Sequence, residues 1–143
     1  MNELTVLLVD DEEEFVEALA ERLRLRGLVV HAAASGKSAI EKAGRRRFDA
    51  ILLDMAMPGL DGVQTLSGLL AQNPDLQVIL LTGRATLAQA VAAMKLGALD
   101  LLEKPAPLET IVARIEEAAT RRAVRDDERI AQRMREITRE KGW

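Results

Sequence analysis

The sequence contains no cysteine and no tyrosine, and its only aromatic residues are Phe15, Phe48 and Trp143. The absence of cysteine excludes disulfide bonds and cysteine-based metal sites. No stretch approaches the roughly 20 apolar residues that a membrane span needs, and the N-terminus lacks a basic, apolar leader, so we expect a cytoplasmic protein with no membrane partner. The core must therefore consist of Leu, Ile, Val, Ala and Met, and 143 residues suffice for one such domain.

The sequence also lacks a large excess of charge of either sign. Twenty Lys and Arg oppose 23 Asp and Glu, for a net charge of -3, and this balance does not predict direct binding to nucleic acid. The distribution is uneven, because Thr120 to Trp143 hold eight basic and five acidic residues. We therefore treat residues 120–143 as a basic extension of the domain.

Apolar runs of strand length alternate with segments of helical period five times along the chain. The runs predict strands β1 to β5 at residues 5–9, 29–33, 50–53, 77–81 and 99–102. Each helix from α1 to α5 is marked by apolar residues or helix formers in turn: Phe15 or Val16 with Leu19 and Leu23; residues 37–43; Val63, Leu66 and Leu69 or Leu70; Leu87, Val91 and Met94; Leu108, Ile111, Ile115 and Ala118 or Ala119. The predicted fold class is α/β, a parallel sheet with crossover helices.

Turn residues and hydropathy add expectations about helix ends and packing. Ser35 is the predicted N-cap of α2, and Gly27 and Gly44 are expected to end α1 and α2. The nearly all-apolar strands predict a sheet buried on both faces. The apolar stripe of α4 is expected to pack in the core, and His31 in β2 is expected to be structural.

Polar groups follow four of the five predicted strands: Asp10 and Asp11 after β1, Asp54 after β3, Thr82 after β4 and Lys104 after β5. A parallel sheet brings these ends to one edge, where ligands of such folds bind. Carboxylates without His or Cys suit Mg²⁺, and a lysine and a hydroxyl beside it form a cradle for a phosphoryl group. The constellation predicts phosphoryl acceptance on Asp54.

These residues stand in motifs that resemble the receiver domains of two-component response regulators over residues 4–119. The motifs cover residues 7–11, 53–62, 81–83 and 97–105, in that order along the chain. The resemblance implies a flavodoxin-like, doubly wound, five-stranded sheet in order 2-1-3-4-5, with the receiver domain at residues 1–119. It also implies a signalling protein rather than an enzyme that acts on an external substrate.

The resemblance further assigns roles to individual residues. Asp54 would accept a phosphoryl group from a histidine kinase or phosphotransfer protein. Asp11, Asp54 and the main-chain carbonyl of Ala56 would ligate Mg²⁺ directly, and Asp10 would do so through water. Lys104 would bind the phosphoryl oxygens.

Thr82, with Ala56 and Gly83, would also bind the phosphoryl group in this family, and Thr82 would act as the switch. The peptide bond between Lys104 and Pro105 would be cis. Many receivers carry Tyr or Phe at the position of Leu101, so the coupling of the switch to the surface formed by α4, β5 and α5 is expected to be altered here.

The basic extension carries Ile130, Met134 and Ile137 at helical spacing, and we expect no effector domain after it. Either α5 continues through it, or Asp126 or Asp127 caps a new helix. The helix is either solvated or a surface for dimerisation or a protein partner, together with the α4, β5 and α5 surface. A fragment of a longer regulator would have the same sequence features.

Three other functions remain open at this point. A Mg²⁺-dependent phosphatase with an aspartate nucleophile would need a second carboxylate where this chain has Ala56. A flavodoxin-like cofactor binder would need hydroxyls after β1, where this chain has five consecutive acids, residues 10–14. A degenerate receiver would serve as an interaction module without phosphorylation.

Overall fold

The computed structural model describes residues 3–57, 61–83 and 87–141. Within these residues, five parallel strands form one sheet in the order β2-β1-β3-β4-β5. The strands are Thr5–Val9 (β1), Val29–Ala33 (β2), Ala50–Leu53 (β3), Val78–Thr82 (β4) and Asp100–Glu103 (β5), and the helices are Glu13–Leu25 (α1), Gly36–Arg45 (α2), Gly62–Gln72 (α3), Leu87–Leu96 (α4) and Leu108–Lys141 (α5). The predicted fold class and strand order are confirmed.

The first three strands have their predicted bounds, whereas β4 and β5 begin and end one residue later than predicted. Thr82 aligns with Glu103 in the ladder, and the amide of Lys104 donates to the Thr82 carbonyl at 2.9 Å. This pairing extends both strands. Thr82 is therefore the last residue of β4 rather than the first residue of the loop.

The helix ends follow the predictions with one exception. The Ser35 hydroxyl accepts a hydrogen bond from the Ser38 amide at 3.1 Å and caps α2, and Gly27 has a φ of 86° just after α1. Gly44 does not end α2, because it lies inside that helix. A Cβ at Gly44 would lie 2.3 Å from the side-chain amide of Gln72 on α3, which would have to move aside.

The sheet separates two apolar clusters. One cluster joins the sheet to α2, α3 and α4 and includes Leu7, Ile51, Leu53, Leu66, Leu69 and Ala93. The other joins the opposite face to α1 and α5 and includes Val6, Leu52, Leu19, Leu23, Ile111 and Ile115. The prediction of burial on both faces holds for β1, β3 and β4 but not for the edge strands β2 and β5, several of whose residues are half-buried or exposed.

The predicted core packing of the α4 stripe is wrong. Leu87 is 82% exposed, and Val91 and Met94 are each nearly half exposed. Ala93 is the buried residue of this helix. Because nearly every residue of α4 is apolar, the hydrophobic pattern does not single out one face, and the small side chain of Ala93 gives the closest approach to the sheet.

Helix α5 passes position 120 without a break and runs on through the basic extension. Arg122 is buried and donates a hydrogen bond to the carbonyl of Phe48. Asp126 accepts from Arg47 at 2.5 Å and also from Arg129. We call the side chains that tie this part of α5 to the amino-terminal edge of the sheet the basal clamp: Arg47, Asp75, Arg122, Asp126 and Arg129.

Candidate functional site

The residues that the sequence places after β1, β3, β4 and β5 line one open cleft of about 360 Å³ at the carboxyl edge of the sheet. The cleft is lined by Asp11, Glu12, Asp54, Ala56, Thr82, Gly83 and Lys104. Asp10 lies beside it and contacts Lys104. The parallel topology thus brings together side chains separated by more than ninety residues of sequence.

Asp54 is 4% exposed at the end of the central strand β3. Its amide donates to the Val9 carbonyl at 2.9 Å, and its Oδ1 accepts from the Ala56 amide at 3.3 Å. The Gly62 amide donates to the Met55 carbonyl at 3.0 Å, and a Cβ at Gly62 would lie 2.3 Å from the Met55 Cα. Glycine at position 62 therefore allows α3 to begin directly against the residue that follows Asp54.

Asp10 and Lys104 form a half-buried ion pair at the side of the cleft. Lys104 Nζ lies 2.6 Å from Asp10 Oδ2 and 3.5 Å from Glu12 Oε1. The other oxygen of Asp10 accepts from the Glu12 amide at 2.9 Å. Both oxygens of Asp10 are thus engaged, which fixes the orientation of its carboxylate.

The pKa values of Asp10 and Lys104 are both raised, although burial and the neighbouring groups act in opposite directions on each. Burial raises the pKa of Asp10 more than the hydrogen bonds from Lys104 and the Glu12 amide lower it, and the charge of Asp54 adds to the rise. Burial alone would lower the pKa of Lys104, but its hydrogen bond to Asp10 and the charges of Asp10, Asp54 and Glu12 together raise it. Lys104 is therefore a cation throughout the neutral range.

Carboxylate oxygens of Asp10, Glu12 and Asp54 all lie within 4.8 Å of one another. Asp11 is exposed; it lines the cleft but is not part of this cluster in the described chain. Sequence reasoning assigned no role to Glu12, although its position as the third acid after β1 was a signal. Glu12 is the N-cap residue of α1 but makes no side-chain cap bond, and its carboxylate points to Lys104 instead.

The remaining predicted site residues occupy the β4 and β5 side of the cleft. Thr82 is completely buried, and Gly83 follows it at the rim. Leu101 is half-buried and packs against the cluster beneath α3 and α4. The Lys104–Pro105 peptide bond is cis. Residues 58–60 of the predicted turn lie outside the described residues.

Comparison with known proteins agrees with this geometry. Residues 6–116 match the family model of the response regulator receiver domain. The transcriptional regulatory protein PrrA of Mycobacterium tuberculosis is 40% identical over 117 residues, which are 82% of this chain and 50% of PrrA. The chain spans about half the length of such curated relatives.

Solved structures resemble the chain as well. The structure of FixJ-N is 34% identical with a TM-score of 0.77, covering 84% of this chain and 96% of that one. A Burkholderia pseudomallei response regulator, solved with a phosphorylated aspartic acid, a calcium ion and citrate, is 30% identical with a TM-score of 0.75, covering 98% of this chain and 86% of its own.

The described helices include none with the length and apolar character needed to cross a bilayer. The family match covers most of the chain, and the fold resembles those of the solved relatives. The chain therefore belongs to the response regulator receiver domains of two-component systems, a family of signalling domains that work as aspartate phosphoacceptor switches.

Proposed function

We propose that Asp54 is the phosphoacceptor and that it takes a phosphoryl group from the phosphohistidine of a histidine kinase or phosphotransfer protein. The observation that carries this proposal is the placement of the buried Asp54 carboxylate in an open cleft that Lys104 and Thr82 also line. A carboxylate held at the end of a rigid strand can reach phosphorus only from the cleft side. We further propose that residues 1–119 act as the switch and that residues 120–143 act in its output.

The transfer requires little covalent chemistry from the protein. One carboxylate oxygen of Asp54 attacks phosphorus in line, a P–O bond forms as the P–N bond breaks, and the imidazole leaves with the bonding electron pair. The ammonium of Lys104 and the hydroxyl of Thr82 bind the phosphoryl oxygens as charge moves onto them. Ala56 and Gly83 line the same cleft, and we propose that their main-chain amides supply further donors.

The donor set fits a hard divalent cation. The carboxylate oxygens of Asp10, Glu12 and Asp54 lie within 4.8 Å of one another, and Asp11 lines the same cleft. Mg²⁺ prefers such ligands and retains several waters. We propose that Asp11, Asp54 and the Ala56 carbonyl hold the ion and that Asp10 acts through water. Bound Mg²⁺ would neutralise charge on the phosphoryl oxygens, while Lys104 already balances part of the charge of Asp10 and Glu12.

Signal output is proposed to pass through Thr82 and Leu101 to the surface formed by α4, β5 and α5. Apolar side chains exposed on α4 support a protein partner there, since Val91 and Met94 are 44% and 45% exposed. The extension offers a second apolar surface, with Ile130 62% and Met134 57% exposed. Either surface would suit a downstream protein or a second copy of the chain.

Intact mass after incubation with a small acyl phosphate tests the acceptor chemistry. We expect one added phosphoryl group that requires both Mg²⁺ and Asp54, so that Asp54→Asn shows no addition. Asp127→Asn is the matched control, because Asp127 is exposed on α5 far from the cleft, and it should be phosphorylated like the parent chain. Addition to Asp54→Asn would place the acceptor on another residue, and no addition to the parent would favour an interaction module; either result would contradict the proposal. Turnover of a phosphomonoester would favour a phosphatase.

A further inference from the structure

The ammonium of Lys104 is enclosed on three sides. Asp10 lies at 2.6 Å and Glu12 at 3.5 Å, and the centroid of the Phe15 ring lies 4.1 Å from Nζ. The Lys104 side chain is only 14% exposed as a result. A lysine ammonium has three N–H donors; Asp10 accepts from one of them, and Glu12 lies within ion-pair distance of the same nitrogen.

Phe15 packs at the margin of the apolar cluster between the sheet, α1 and α5 rather than inside it. Its neighbour Val16 is the buried residue of this turn and continues the apolar face of α1 with Leu19 and Leu23. Phe15 is half-buried beside a cavity of about 190 Å³ that Ile111 of α5 also lines. The ring thus has open space next to it and yet lies against the ammonium, as expected when the negative face of an aromatic ring attracts a cation.

We propose that Phe15 is a positioning residue that holds the ammonium of Lys104 at the edge of the Asp54 cleft. This inference rests on the proposed function, in which Lys104 binds the phosphoryl oxygens. A lysine side chain is flexible and loses much conformational freedom when it is fixed. A third carboxylate would confine the ammonium and also neutralise its charge. The ring confines it without neutralising it, so the positive charge remains available to the incoming phosphoryl group.

A spectroscopic measurement tests the contact without any phosphorylation. In Mg²⁺-free protein, NMR should place the Lys104 Hε resonances upfield of ordinary lysines, because they lie over the ring. Phe15→Leu should abolish that shift and Phe15→Tyr should retain it. Leu19→Ala is the packing control: Leu19 lines the same cavity, so this variant should lower the melting temperature and keep the shift. An ordinary Hε shift in the parent chain would overturn the proposal.

Phosphorylation rates then test the role. We expect Phe15→Leu to slow phosphorylation by a small acyl phosphate about three- to tenfold, from the usual strength of cation–π contacts, and Phe15→Tyr to restore it. In a Lys104→Ala background, Phe15→Leu should have no further effect. If Phe15→Leu does not fold, Phe15→Met replaces it.

The possible failures are distinguishable. If Lys104→Ala is slow but Phe15→Leu matches or exceeds the parent rate, the positioning role is wrong and the proposed function stands. The positioning role is also wrong if Phe15→Leu slows phosphorylation by the same factor in the parent and in the Lys104→Ala background. If Lys104→Ala itself keeps the parent rate, the proposed role of Lys104 is wrong, and with it the inference.

Discussion

Arg122 of helix α5 donates a hydrogen bond to the main-chain carbonyl of Phe48, at the loop that leads into β3. Arg122 is 7% exposed. Burial lowers the pKa of its guanidinium, and the charge of Arg47 lowers it further, whereas the charges of Asp126 and Asp49 raise it. The extension is therefore attached to the receiver fold at its amino-terminal edge, opposite the cleft that contains Asp54. A helix held in this way projects from the domain in a fixed direction.

Loss of this attachment should destabilise the whole domain. Arg122→Ala leaves the Phe48 carbonyl without its partner and breaks the basal clamp, so we expect the free energy of unfolding to fall by about 1–3 kcal/mol. Urea denaturation measures this. Arg135→Ala is the control, because Arg135 is exposed further along α5 and its loss should change stability by less than about 0.5 kcal/mol. Equal stability of the two variants would show that the clamp is not structural.

Gly62 should tolerate no side chain, because a Cβ there would lie 2.3 Å from the main chain at Met55. Gly62→Ala must displace the segment that carries Asp54, and we expect both a loss of more than about 1 kcal/mol and slower phosphorylation. Gly68→Ala is the matched control in α3. A Cβ at that position would meet only the tip of Ile40, which can move, so phosphorylation should be unchanged. A fully active Gly62→Ala would disprove the close contact.

His31 should make stability fall under mildly acidic conditions. Burial lowers its pKa below the ordinary 6.5, and the charges of Arg46, Lys42 and Arg24 lower it further; its Nε2 is buried and, among the described residues, has no hydrogen-bond partner. The folded state thus binds fewer protons than the unfolded state as pH falls below 6.5. Stability is full above that value and decreases as pH falls through the folded pKa.

Urea denaturation of the parent and His31→Gln at pH values above and below 6.5 measures the effect. The variant lacks the titrating group, so its stability should change less than that of the parent between those values. An equal change in both proteins would assign the acid sensitivity to other groups.

The exposed side chains of the extension offer a test of self-association. If two copies pair through this part of α5, Ile130→Gln combined with Met134→Gln should convert the dimer to monomer in sedimentation velocity. Substitution, rather than truncation after Ala119, leaves the basal clamp intact. Arg133→Gln with Arg135→Gln is the control on the same helix. If the parent chain is monomeric both with and without phosphorylation, the hypothesis of a dimer is wrong, and binding of a partner protein remains as the role of this surface.

Local sequence pattern was sufficient for most of the secondary structure. The first three strands and the Ser35 cap were predicted correctly because each depends on a few adjacent residues, namely β-branched runs and a hydroxyl before a helix. The pattern failed at α4, where almost every residue is apolar and no face is distinguished. It also failed at Gly44, which lies inside α2 and faces the end of the Gln72 side chain on α3.

Some features of the site could likewise be predicted from the sequence, and others could not. Asp10, Asp54, Thr82 and Lys104 could be found from the sequence because each follows a predicted strand, and the parallel topology forces those ends to one edge. The topology does not say which way a side chain turns once it reaches that edge. The place of Glu12 in the acidic cluster and the ring of Phe15 over Lys104 were therefore missed.

The sequence by itself determined the fold class, the strand order through its family motifs, and the set of polar residues at the edge of the sheet. Only the tertiary structure decided that Asp10 engages Lys104, that Glu12 joins the carboxylates, and that α5 continues unbroken with Arg122 on the Phe48 carbonyl. The reason is physical: strand and helix periods are encoded over a few neighbouring residues, whereas these contacts depend on side-chain directions between segments brought together only by folding.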